Sequence, residues 1–260
     1  MRAVRIGLVV AVAAGFAIGA LLLPPFPQAI AYHEFADARR ILGIPNFWDV
    51  LTNLPFLFIG IAGLAFLMRD PRAKAAFHDS VEKWPYAMLF LSVAMVSAGS
   101  AFYHLAPDNT RLVWDRLPMT VGFMSIVAAM VAERVNVKVG VRLLAPLVAL
   151  GVTSVVYWRL SAAWGAENLR PYMAVQYGSI AIVLLIAALF ASRYTRGNDI
   201  YRVVALYAAA KVAESLDTEI FSFVSILSGH SLKHLIAACA VYQILRMLKA
   251  RTLNAEEASS

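Results

Sequence analysis

Apolar residues run along this chain in long uninterrupted blocks separated by short polar connections, without the alternation of a half-buried strand. Blocks long enough to cross about 30 Å of hydrocarbon as helices lie at 4–24, 49–68, 86–105, 114–132, 142–158, 172–191, 201–224 and 230–249. The pattern therefore predicts eight spans and an all-α, polytopic membrane protein. The block 142–158 is short, and 201–224 carries Lys211, Glu214, Asp217 and Glu219. Both are retained because the connecting charges alternate across all eight.

That alternation sets the expected orientation. With the N-terminus inside, fifteen Lys and Arg residues fall on the inner side, from Arg2 and Arg5 to Lys249 and Arg251. Arg39, Arg40, Arg111, Arg116, Arg159 and Arg170 fall outside, so both termini are expected in the cytoplasm. The first block has a rival reading as a cleaved signal, because Arg2 and Arg5 precede it and "QAIAY" offers a small-residue site after Ala31. An uncleaved helix is favoured by the length of its apolar run, and the later spans keep their orientation either way.

Composition agrees with the pattern: 61% of residues are hydrophobic, 15% are charged, and mean hydropathy is +0.69. Lys and Arg exceed Asp and Glu by 23 to 16. They sit in short loops, which reads as a topology signal and sets aside a nucleic-acid partner. The single cysteine, Cys239, excludes an intrachain disulfide and a cysteine zinc cluster. No repeat or domain linker is visible. The expected organisation is an extra N-terminal helix or signal-like segment over 1–31, a seven-helix domain over 32–249 and a polar tail over 250–260.

The chemistry gathers at two places. In "SAFYHLAPDNTRLVWD", Ser100 and His104 are four residues apart on one helix face, and Asp115 opens the next span across the turn. In "SGHSLKHLIAA", His230 and His234 are again four apart, at the start of the last span. The loop charges place both stretches at one depth on the outer side. Three neutral imidazoles from two helices suit Zn²⁺ with a fourth position open for water, which is the catalytic rather than the structural pattern. Asp115 could take or orient the water's proton, and the Ser100 hydroxyl could bond a developing oxyanion. Ser100 as a covalent nucleophile is disfavoured, since no Lys or spare His is spaced to activate it. Hydrogen-bonded helix packing is the other reading of the same spacing.

Ser100-x-x-x-His104, Asp115 eleven residues on, and His230-x-x-x-His234 on the final helix resemble the shared motif set of the alkaline ceramidases. Their superfamily includes the adiponectin and progestin receptor-like proteins and a GPI-anchor remodelling family. The resemblance covers roughly residues 32 to 249, and "NFWDVLTNLPFLFIG" and "WDRLPM" look more like ceramidase segments than receptor ones. It implies a seven-helix zinc amidase that cuts ceramide into a sphingoid base and a fatty acid. His104, His230 and His234 would bind zinc, with Ser100 and Asp115 completing the site around the metal-bound water. Family members also bind calcium in an acidic cluster before their first helix. Here Glu34, Asp37 and Asn46 offer the oxygens for a Ca²⁺ site, and Arg39 and Arg40 oppose it.

Among the remaining polar residues, Lys211 and Glu214 are spaced for a structural ion pair. Asp217 and Glu219 are expected to border the metal site or a lipid headgroup. Lys233 is expected to point away from the two histidines that flank it. His33 and His78 are expected to be solvated rather than ligating, and Tyr157, Trp158, Trp164 and Tyr172 to form an interfacial belt. The sequence thus leads to a zinc-dependent amidase for ceramide-like lipids in a bacterial plasma membrane, its site facing outward and its oligomeric state open. An ester lipase on glycerophospholipids and a receptor-like protein with a structural zinc are the rivals. A transporter fits less well, because no inverted repeat or pair of broken helices is visible.

Overall fold

A computed structural model describes residues 1–254. It consists of α1 (Arg2–Leu22), α2 (Phe47–Leu51), α3 (Leu54–Arg69), α4 (Lys83–Leu105), α5 (Asn109–Arg134), α6 (Val137–Ala163), α7 (Arg170–Leu189), α8 (Asp199–Ser215), α9 (Asp217–Val224) and α10 (Gly229–Ala250). No β-strand forms among the described residues beyond two isolated bridges. Side-chain caps open three of the long helices: Asp108 accepts from the Arg111 amide, Asn136 from Val139 and Ser228 from Ser231.

Six units are long and apolar enough to cross a membrane: α1, the continuous Phe47–Arg69 span, Ser80–Leu105, α5, α6 and α7. The short 142–158 block becomes a helix of 27 residues with Pro146 inside it. The 201–224 block departs from expectation, because it breaks at Leu216 into α8 and α9, and α9 meets α10 at 103°. Asp217 explains the break: its carboxylate accepts from the backbone N–H of Ala36 (2.9 Å) and of His230 (2.6 Å). It joins the start of α10 to the segment before α2. The remaining α8, at 17 residues, is about 26 Å long.

The helix ends sort to two opposite ends of the bundle. At one end Glu133 accepts from Tyr86 (2.9 Å), Ser192 (2.9 Å) and Arg251 (2.7 Å), while Glu82 accepts from Tyr194 (2.9 Å) and Arg193 (3.1 Å). These groups come from the start of α4 and the residue before it, the end of α5, the connection between α7 and α8, and the residue after α10. Each buried charge there has a partner of opposite sign, as a low-dielectric interior requires. At the other end lie His104, Asp115, Asp217 and His230. Both α8 and α10 run between the two ends, which places them in the bundle despite their charges.

The first helix belongs to the same bundle. It lies along α7, where a side chain at Gly178 would meet the Phe16 ring at 3.0 Å, and Arg5 donates to the Leu189 carbonyl (2.9 Å). Its connection to α2 crosses the histidine end, with the Leu169 amide bonded to the Phe26 carbonyl (3.0 Å). The expected tail over 250–260 also begins against the bundle: the Asn254 amide donates to Arg193 and Leu253 bridges Tyr194. Residues 255–260 lie outside the described residues.

Candidate metal centre

Two close backbone approaches build the site. At Gly99, a side chain would meet the Trp114 carbonyl oxygen at 2.0 Å, so α4 and α5 touch one residue before Ser100 and Asp115. At Gly229, a side chain would meet the Ala213 carbonyl at 2.1 Å, so α10 starts directly against α8. Only glycine permits either contact, and each stands beside a site residue.

His104 from α4 and His230 and His234 from α10 converge with ligand atoms all within 4.8 Å of one another. Their ring centroids are 4.9 to 5.0 Å apart, and the residues are 1%, 5% and 5% exposed. Phe35, in the segment before α2, lies edge-on to His104 (4.7 Å) and His230 (4.5 Å) and covers the cluster.

The hydrogen bonds around the rings fit a cation. Thr52 gives its hydroxyl proton to the Trp48 carbonyl (2.7 Å) and stands 3.0 Å from His234 Nδ1. That hydroxyl must therefore accept from Nδ1–H, which leaves the Nε2 lone pair of His234 free to ligate. Nδ1 of His104 is buried without any hydrogen-bond partner, an arrangement that is costly for a ring nitrogen with nothing to bind. Nitrogen donors with no carboxylate among them suit Zn²⁺ and its transition-metal neighbours better than Ca²⁺ or Mg²⁺.

Lys233 departs from its expected direction. It points inward, donating to Nε2 of His230 (2.8 Å) and to Glu214 Oε1 (3.0 Å), and Glu214 also pairs with Lys211. The expected Lys211–Glu214 pair is thus one link of a chain that ends at the histidines. A metal taken by His230 Nε2 would compete with the ammonium for one lone pair and leave it to Glu214.

Ser100 and Asp115 are both buried. With His234 and Lys233 they line one end of a cavity of about 470 Å³. The cavity continues between apolar side chains to Val183, Ile200 and Ile244. From His234 to Ile244 along α10 is about 15 Å. Phe26, Met173 and Tyr177 line both this cavity and a groove between α1 and α7, which offers a lateral way in.

Glu34, Asp37 and Asn46 are each engaged elsewhere or exposed. Arg39 grips Asp37 with two bonds of 2.7 Å, Asn46 donates to the His104 carbonyl (2.8 Å), and Glu34 is exposed. Arg39 thus places its positive charge on one of the three candidate oxygen ligands. Asn46 adopts the left-handed conformation (φ 45°), which asparagine tolerates better than most residues.

Asp217 borders the site as expected. His33 stays out of the cluster, but it is held by Tyr103 (2.8 Å) and Asn109 (2.9 Å) rather than by water. The expected aromatic belt divides: Tyr157 and Trp164 are exposed, whereas Trp158 and Tyr172 are buried around Arg116.

Sequence reasoning missed Thr52, Phe35 and Asp49. Asp49 is fully buried and accepts from Ser231 (2.6 Å), the residue after His230 on α10. Thr52 and Asp49 both belong to "NFWDVLTN", and a buried acid in an apolar span was the available signal. No protein-family model and no curated protein matches the chain.

Proposed function

We propose that this protein is a zinc-dependent lipid amidase of the membrane interior, hydrolysing the N-acyl bond of ceramide-like lipids to a long-chain amine and a fatty acid. One observation carries the reading: of three clustered, buried histidines, the one oriented by Thr52 lines the end of a cavity whose farther walls are apolar. Such a cavity suits an acyl chain that reaches its reactive carbonyl at the histidines. The likeness of the Ser100, His104, Asp115, His230 and His234 pattern to the alkaline ceramidases supports the choice of amide and of sphingolipid.

Zinc held by His104, His230 and His234 would supply a Lewis acid and a water of lowered pKa. Asp115 accepts the proton of the attacking water and passes it to the amide nitrogen as the C–N bond breaks and the new C–O bond forms. Ser100 donates to the acyl oxygen as negative charge builds on it. The apolar walls hold the chain and exclude bulk water, which strengthens both interactions. The loop-charge bias supports a plasma-membrane location with this end outward.

An ester lipase would use the same groups. The test is hydrolysis by the purified protein of an N-acyl lipid and its matched O-acyl counterpart. Faster cleavage of the amide is expected, and cleavage of the ester alone would replace the amidase with the lipase.

A further inference from the structure

Arg116 follows Asp115 on α5 and is 3% exposed. Its guanidinium carbon lies 4.5 Å from the ring centres of Trp158 and of Tyr172, and 5.5 Å from that of Tyr32. Its one hydrogen bond runs from Nη2 to the Gln28 side-chain oxygen. Nε and Nη1 are buried with no partner. The other deeply buried arginines, Arg134 and Arg251, each pair with Glu133, but no carboxylate among the described residues forms an ion pair with Arg116.

A guanidinium stays charged at every physiological pH, so burial cannot be relieved by losing the proton. Aromatic faces offset part of the lost hydration but leave the N–H groups unbonded. Arg116, Gln28, Tyr32 and Tyr172 line the same cavity as Ser100 and Asp115. The cage is therefore a built, positively charged pocket beside the reacting groups, and two of its donor nitrogens have no partner in the protein. The N–H of Nη2 that Gln28 does not take forms a paired edge with a free neighbouring nitrogen, and such an edge matches two oxygens of a phosphate or carboxylate.

We propose that Arg116, steadied by Gln28 and the Trp158, Tyr172 and Tyr32 rings, binds an anionic group on the lipid headgroup. The preferred substrate is then an acyl amide carrying a phosphate or carboxylate near the amide, rather than a neutral ceramide. This rests on the cavity being the lipid site of the amidase reading, but binding of the anion does not require turnover.

The test is thermal unfolding of the purified protein in dodecyl maltoside micelles with dodecyl phosphate, dodecanol or inorganic phosphate, for wild type, Arg116→Gln and Gln28→Leu. Dodecyl phosphate should raise the wild-type Tm and dodecanol should not. Arg116→Gln should weaken the apparent affinity about tenfold or more, the usual worth of a hydrogen bond to a charged group, and Gln28→Leu by less. Zinc content at the wild-type level shows that each variant is folded.

A shift produced equally by inorganic phosphate would assign the pocket to a free anion and overturn the headgroup. Equal shifts in wild type and Arg116→Gln would leave Arg116 as a counter-charge for Asp115 and overturn the proposal. A parallel comparison of hydrolysis, using one acyl amide with a free hydroxyl or a phosphate headgroup, separates the two readings. Cleavage of both with no preference sinks only the anionic subsite, whereas anion binding without any cleavage sinks only the amidase.

Discussion

The hydroxyl of Thr52 stands 3.0 Å from Nδ1 of His234 and hands its own proton to the Trp48 carbonyl. A residue in the turn between α2 and α3 thereby fixes which nitrogen of a residue on α10 is free to ligate. Thr52→Val keeps the shape and removes the acceptor. Zinc affinity is expected to fall about 10- to 100-fold, the range for loss of such an outer partner, as read by competition with a chelator. Unchanged affinity would mean that Thr52 only packs.

Lys233 and the metal compete for His230. Replacing the lysine with methionine removes a positive charge from all three imidazoles while Lys211 remains to pair with Glu214. Zinc should bind Lys233→Met more tightly than wild type in the same competition. Weaker binding would show that the ammonium supports the site instead.

The two glycine contacts predict separable failures. Gly99→Ala pushes a methyl into the Trp114 carbonyl and should part Ser100 from Asp115, lowering hydrolysis while zinc is retained. Gly229→Ala shifts the start of α10 and should lose zinc. Each should also lower stability by about 1–3 kcal/mol, the usual cost of overpacking. Gly15→Ala, with nothing within 4 Å of the added carbon, is the matched control and should change neither.

The opposite end of the bundle carries stability rather than chemistry. Glu133 is buried between Arg251 and Arg134, and it also accepts from Tyr86 and Ser192. Glu133→Ala leaves those cations uncompensated and should cost about 3–5 kcal/mol, seen as a lower Tm in detergent. Zinc should still bind to the fraction that remains folded. A variant as stable as wild type would show that water solvates this end.

The helices were legible because a membrane span is written in one dimension, as a block of apolar residues with charges at its ends. His104, His230 and His234 were legible because helical spacing and loop charges together assign depth and face. The break at Leu216 was not, since Asp217 bonds to amides at Ala36 and His230 that are distant in sequence. Nor was the direction of Lys233: spacing places it between two histidines, but its long side chain turns back to reach Glu214. Trp158 and Tyr172 read as interfacial because Tyr and Trp usually are. Arg116 draws them inward, and one arginine in a loop-charge count does not reveal that it is caged.

Zinc content and hydrolysis of an acyl amide should be measured on one purified sample of wild type, His104→Ala, His230→Ala and Asp115→Asn. The expected result is about one zinc per chain in wild type, lost with either histidine, and retained without hydrolysis in Asp115→Asn. Full hydrolysis by His230→Ala with no metal bound would contradict it.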